Sequence, residues 1–385
     1  MEFDWVATAV EWTAQVCISI ATVGCVYLLV ATLLVQRFGR RRLRTARVQV
    51  PVSVLKPLHG EEPELLERLS QLCRQTYSAP VQILFGTQDC ADPAIRTVEA
   101  LRERFPQAAI ELHVDARGHG PNRKMSNLAN MAAYVRHPLV VMADSDIETG
   151  PDYLAQVVGE LQQPGVGAVT CLYYGVAKGG PWARLAALAT NTHFLPNVVV
   201  ATSFRLARPC FGATIAMTRQ TLDRIGGPAA FAHCLADDYA IGEAVRANGD
   251  AVVVPPLAVG HVCAQASARE LLGDESRQGR TIRTLDPVGY LGSVIGHPLP
   301  LALIAWALGS EAAPLVGIVA LALRALLCRT VERNFGLGPQ AYWLLPVRDL
   351  ISFAVYVWSF CGATVRWRGH RYHALSDGTL VRDRS

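Results

Sequence analysis

Met142-Ala143-Asp144-Ser145-Asp146 sets two carboxylates two residues apart at the end of an apolar run, Leu139 to Ala143, that reads as a buried strand. Such a pair at a strand's C-terminal edge suits a divalent cation bridging a diphosphate, because hard cations favour carboxylate oxygen. Short acidic pairs also fill turns and cap helices, so the motif needs company. Asp89 and Asp92, in Gln88-Asp89-Cys90-Ala91-Asp92-Pro93, end a second strand-like run that starts at Val81. Pro93 suits a first helical turn, so Asp92 could equally cap the helix that follows. Leu235-Ala236-Asp237-Asp238-Tyr239 opens a helical pattern through Ala247. Acids there either favour the helix N-terminus or offer a base. Asn122-Arg123-Lys124 lies between Gly118-His119-Gly120 and another helical stretch. Lys124 can reach a phosphate from there, or lie in a solvated basic turn.

The elements that must position these residues alternate. Strands are expected at Val52 to Leu58, Val81 to Gly86, Ile110 to Val114, Leu139 to Ala143, Val166 to Leu172, Gly212 to Met217 and Ala251 to Val254. Helical patterns such as Pro93 to Arg104 and Met125 to Val135 lie between the early ones. That order predicts an α/β fold with a doubly wound, mostly parallel sheet, whose ligands bind at the carboxyl ends of the strands.

At 385 residues and 51% hydrophobic, the chain is long enough for one large α/β domain plus membrane segments. Trp12 to Gln36 holds no Asp, Glu, Lys or Arg, and about 20 apolar residues span a bilayer core. Arg37, Arg40, Arg41, Arg42, Arg44 and Arg47 follow it and hold that end in the cytoplasm by the positive-inside rule. Basic residues after the apolar stretch, and its length, argue against a cleaved signal peptide. Val288 to Ser310 and Ala312 to Leu323 are consecutive apolar candidates separated by Glu311, which predicts a tight membrane hairpin. The last apolar run, Leu350 to Val365, is short for a span. It is either re-entrant or interfacial, or a tilted span extended back through Arg348 and Asp349. The expected division is residues 1–48 as transmembrane helix and basic stretch, 49–285 as a cytoplasmic catalytic domain, and 286–385 as membrane segments and basic tail. Ten cysteines without paired spacing predict reduced thiols rather than a disulfide framework or zinc site. The net charge of +4 is accounted for by the arginine cluster, with no sign of nucleic-acid binding.

Leu55-Lys56-Pro57-Leu58, Asn122-Arg123-Lys124, Ala143-Asp144-Ser145-Asp146 and Leu235-Ala236-Asp237-Asp238-Tyr239 together resemble the lipid-directed inverting glycosyltransferases. Among these, the chain looks like the ceramide glucosyltransferase family and its bacterial hopanoid-biosynthesis relative. The resemblance implies a UDP-sugar donor, Mg²⁺ or Mn²⁺, a membrane lipid acceptor and a multi-pass protein of the bacterial inner membrane. Lys56, Pro57, Asp89, Asp92, Lys124 and Asp144 would then belong to the donor site, with Asp144 and Asp146 on the metal. Asp238 would be the general base, with Asp237 beside it on the acceptor side. Cys210-Phe211-Gly212-Ala213-Thr214 and Gly226-Gly227 match the stretch before the base motif, where small residues let backbone approach the sugar, although Gly226-Gly227 also suits a structural turn. Residues 182–206, apolar but interrupted by Asn191, His193, Pro196 and Asn197, would be a soluble core helix or an interfacial segment where lipid enters, which would place His193 on the acceptor side. The tail Trp367-Arg368-Gly369 fits as well.

One departure stands out. Where the family has a Gln/Arg/His-x-x-Arg-Trp, this chain reads Asp274-Glu275-Ser276-Arg277-Gln278. Arg277 would still serve the diphosphate, but Gln278 stands on the acceptor side in place of an aromatic ring. Two other readings remain: a processive polysaccharide synthase, disfavoured by the missing Trp and the few membrane segments, and an inactive scaffold that binds nucleotide-sugar without turnover.

Overall fold

The structure is a computed structural model that describes residues 5–46, 48–362, 364–367, 370–374 and 380–382. Ten strands precede the last membrane-length helix: β1 (Val52–Pro57), β2 (Val81–Thr87), β3 (Ala109–Val114), β4 (Leu139–Met142), β5 (Ile147–Glu148), β6 (Val166–Thr170), β7 (Leu172–Ala177), β8 (Ile215–Thr218), β9 (Ala251–Val253) and β10 (Ala258–Cys263). Seven form one sheet in the order β3-β2-β1-β4-β8-β6-β9. These are the seven runs expected from the sequence. β1 is parallel to β2 and β4, β2 to β3, and β6 to β9. β8 is reversed between β4 and β6. The reversal matters for the site, because Ile215, the first residue of β8, pairs with Met142, the last of β4.

Both faces of the sheet are covered. Val52 and Val54 of β1 pack with helices Leu65–Cys73, Ala94–Arg104 and Tyr153–Leu161, while Leu55 packs on the other side with helices Arg123–Ala132 and Asp237–Ala247. Alternate residues of a strand point to opposite faces, so an apolar run such as Val-Ser-Val-Leu fills two cores at once.

A second, three-stranded sheet, β5-β10-β7, was not expected. β10 runs antiparallel to β5 and parallel to β7. The expected strand from Val166 to Leu172 is in fact two, since the chain leaves the large sheet at Thr170 and enters the small one at Leu172.

Helices Trp5–Gly39 and Ala313–Phe335 are long and apolar enough to cross a membrane. The run from Val288 to Ser310, expected as the first arm of a membrane hairpin, is itself bent: Pro287–Gly296 and Pro298–Ala307 meet at 68°. Pro298 lacks the N–H for the helical ladder and pushes His297 out of the helical region, to φ −120° and ψ 52°. Residues 181–203 form helix Pro181–Ala189, a π-helical turn Thr190–Phe194 and helix Leu195–Ser203. Leu195 and Val199 pack with Leu28, Val35 and Leu327 of the two membrane-length helices.

Near the middle of Ala313–Phe335, buried Arg324 donates to Thr192 O at 2.8 Å and to Gly296 O at 2.6 Å, the carbonyl next to the bend, and pairs with Asp349 at 3.1 Å. Asp349 and Arg348 lie in the first turns of helix Leu345–Ser359, both fully buried. The last apolar run therefore does not continue to Val365. Its helix stops at Ser359, and β11 (Thr364–Trp367), β12 (His370–Ala374) and β13 (Leu380–Arg382) form an antiparallel sheet. Arg47, Arg368 and Gly369, noted in the sequence, lie outside the described residues.

Candidate active site

Asp144 and Asp146 occupy the four-residue link between β4 of the large sheet and β5 of the small one. Lys56, at the carboxyl end of the adjacent β1, is fully buried and donates from Nζ to Asp144 O at 2.7 Å and Ile147 O at 3.4 Å. Its role here is to fix the link's backbone. Burial pulls its ammonium down to about 8, even though the carboxylates of Asp146 and Asp144 favour the charge.

Helix Arg123–Ala132 starts on Asn122, whose side chain accepts from Met125 N–H and donates to Asp237 Oδ1 at 3.1 Å. Lys124 is thereby carried into the site, its Nζ 2.7 Å from Asp144 Oδ1 and 3.5 Å from Asp237 Oδ2. Burial opposes this ammonium's charge, but the surrounding carboxylates outweigh it and raise its pKa. Asp144 moves the other way from an ordinary carboxylate: burial raises it, and neighbouring Asp146 adds to the shift against Lys124.

Asp238, in the first turn of helix Asp237–Ala247, accepts from Gly212 N–H at 3.1 Å and Tyr239 N–H at 2.8 Å. Burial and the adjoining Asp237 carboxylate raise it to about 6, against the pull of Lys124. A carboxylate at that value is poised between acid and base near neutral pH. Gly212 permits the assembly, since a Cβ there would lie 2.6 Å from Lys124 Nζ and 3.1 Å from Asp144 Oδ2. Pro57, Lys124, Ala143, Gly212 and Asp237 line one pocket.

His261 was not foreseen. β10 carries it beside β5, with Nε2 3.2 Å from Asp146 Oδ2. Burial alone would lower its pKa, but the Asp146 carboxylate lifts it well above the usual value. In return, and despite burial, His261 holds Asp146 below the ordinary carboxylate range. No sequence spacing could have revealed it, because the partners are 115 positions apart and meet only through the small sheet.

A divalent cation fits this corner. Asp146 Oδ1 is buried with no hydrogen-bond partner, and Asp144 stands beside it on the same link, which gives the oxygen donors hard cations prefer. Among the described residues no three His, Cys, Asp or Glu side chains already form a closed metal cage, so the remaining ligands would come from water and a diphosphate.

Asp92 is buried and accepts from Gly60 N–H at 3.0 Å and Ala94 N–H at 2.9 Å, which anchors a loop and starts helix Ala94–Arg104. Asp89 lies exposed just past β2 and accepts from Ala91 N–H at 2.9 Å. His193 contacts Asp349 at 3.0 Å and stacks on His297, within the membrane-helix cluster. Arg277 and exposed Gln278 lie on helix Ala268–Leu285, with Arg277 3.8 Å from Asp274.

A mixed sheet carries an Asp-x-Asp at one strand end, and Lys124 links it to a second acidic pair, Asp237-Asp238. The chain belongs to Glycosyl transferase family 21, which matches residues 16–380. It is 26% identical over 199 residues to ceramide glucosyltransferase 1 of Caenorhabditis elegans, covering 51% of this chain and 42% of that protein. It is 25% identical over 118 residues to the ceramide glucosyltransferase of Candida albicans, covering 28% and 22% respectively. The matched stretches thus span less than half of those relatives. In fold it is similar to a mannosyltransferase from Pyrobaculum calidifontis in complex with GDP-Man and Mn2+, with a TM-score of 0.50 and 20% identity over 90% of this chain and 99% of that one.

Proposed function

We propose that the protein is a membrane-bound, metal-dependent inverting glycosyltransferase that moves a hexose or N-acetylhexosamine from a UDP-sugar to a lipid alcohol, a hopanoid polyol ahead of ceramide. The observation that carries this reading is that Lys124 joins Asp144 to Asp237 while Asp238 accepts from the adjoining Gly212 N–H, in a chain with helices long enough to cross a bilayer. Residues 49–285 would be the catalytic domain, on the cytoplasmic side of a bacterial inner membrane.

Asp238 takes the proton of the acceptor hydroxyl while that oxygen attacks the anomeric carbon from the face opposite the diphosphate. The new carbon–oxygen bond forms as the bond to the β-phosphate oxygen breaks, so an α-linked donor gives a β-linked product and UDP. Lys124 holds positive charge beside the leaving group, and Arg277 would add a second cation. A Mg²⁺ or Mn²⁺ held by Asp144 and Asp146 would neutralise the departing diphosphate. Lys56 and Pro57 shape the donor pocket from the end of β1, and Asp89 and Asp92 would hold the nucleoside edge. His193, Asp237 and Gln278 would face the acceptor side.

Mass spectrometry of lipid extracts from cells with and without the gene tests the assignment. A glycolipid that disappears with the gene identifies sugar and acceptor together; an unchanged lipid profile rejects the lipid alcohol. Gln278 favours a second reading, a scaffold that binds nucleotide-sugar without turnover. Titration with UDP-sugar while released UDP is measured separates the two.

A further inference from the structure

Helix Ala268–Leu285 presents Leu271, Glu275 and Gly279 to the interior, a stripe at four-residue spacing. Leu271 is 1% exposed, and Gly279 is packed against Tyr290 and Ser359. Glu275 in this stripe accepts from one guanidinium at both oxygens: Arg348 Nη1 to Oε1 at 2.8 Å and Nη2 to Oε2 at 2.8 Å. The planar fork fixes distance and direction together, which an ammonium could not do.

Arg348 is 0% exposed, and its remaining bonds run to Ser352 Oγ at 3.0 Å and to Leu185 O at 3.3 Å. One side chain therefore ties helices Pro181–Ala189, Ala268–Leu285 and Leu345–Ser359. The next residue, Asp349, pairs with Arg324 of the membrane-length helix. A buried ion pair is a poor source of net stability, because desolvation offsets its attraction, but it specifies one geometry. That geometry bears on Arg277, two residues after Glu275. At about 100° per residue, two residues place it some 200° round the helix, on the face away from the clamp.

We propose that Arg348, by gripping Glu275, sets the rotation of helix Ala268–Leu285 and so aims Arg277 at the donor diphosphate. Arg348 is then a positioning residue, and its role rests on the reading of Arg277 as a diphosphate group. Binding of UDP to the full-length protein with Mn²⁺, followed by calorimetry, tests both. Arg277→Ala should weaken UDP by about tenfold, a typical loss for one charge-assisted contact. Arg348→Ala should give a similar loss, and the double variant should bind no more weakly than Arg277→Ala alone, because residues acting through one another are not additive. The exchanged pair Glu275→Arg with Arg348→Glu should recover part of the affinity. An unchanged dissociation constant in Arg348→Ala, or a loss that adds fully to that of Arg277→Ala, overturns the positioning role. If Arg277→Ala itself binds UDP as the parent does, the diphosphate reading fails first and takes this inference with it. Should Arg348→Ala not fold, Arg348→Lys keeps the charge, loses the fork and is judged by the same comparisons.

Discussion

Lys124 bridges two acids that the sequence keeps far apart: its Nζ lies 2.7 Å from Asp144 and 3.5 Å from Asp237. One ammonium therefore joins the end of β4 to the start of helix Asp237–Ala247. A donor diphosphate and its cation would enter beside one ammonium and two carboxylates, a charge balance that leaves the acids in excess.

That balance leads to the first expected outcome. EDTA should abolish transfer, and Mg²⁺ or Mn²⁺ should restore it, since Lys124 alone cannot neutralise both Asp144 and Asp146 together with a diphosphate. Asp144→Asn should raise the metal concentration needed for half-maximal rate. Transfer that persists after exhaustive chelation would give the two acids another purpose.

Asp238→Asn should keep UDP binding within a few-fold and lower kcat by about 100 to 10,000-fold, the usual contribution of a positioned base. The amide preserves the side chain's shape and one acceptor oxygen for the Gly212 or Tyr239 N–H. A near-parental rate would remove Asp238 from the mechanism.

The pH profile follows from the same residue. Burial and Asp237 raise Asp238 to about 6, and the base works only when deprotonated, so kcat/KM should rise with pH through that value. At pH 5 it should lie about tenfold below the plateau, one unit under the midpoint. A profile flat from pH 5 to 7 would contradict the assignment.

Gln278 offers a gain-of-function test. It is exposed on helix Ala268–Leu285, where a ring would add apolar contact area. Gln278→Trp should lower the acceptor KM and leave the donor KM nearly unchanged, as expected for added uniform binding. Steady-state kinetics with a soluble acceptor analogue would show no change if the position faces only solvent.

The central sheet was legible because its strands are short apolar runs closed by polar or turn residues, as at Val52 to Leu58 and Leu139 to Ala143. The small sheet was not. Ile147–Glu148 is two residues long, and Leu172–Ala177 continues an apolar run already assigned to the large sheet, so periodicity had no signal to separate them. With that sheet went His261, which only long-range pairing brings to Asp146. Lys124, Asp144 and Asp238 stand in local motifs, and at Asp92 the expected contact with the start of the next helix is made as well. The break at His297 was written in Pro298 but masked by the uniform hydrophobicity around it.

Arg324 also constrains the order in which the chain can be made. Emerging alone, helix Ala313–Phe335 would offer a lone guanidinium to hydrocarbon, at a cost of about 2.5–3.5 kcal/mol on insertion scales. Its counter-charge, Asp349, follows 25 residues later. In the proposed membrane-bound protein the two segments would therefore leave the translocon as a unit, and a nascent chain arrested just past Phe335 should be extracted by alkaline carbonate more readily than one arrested past Ser359.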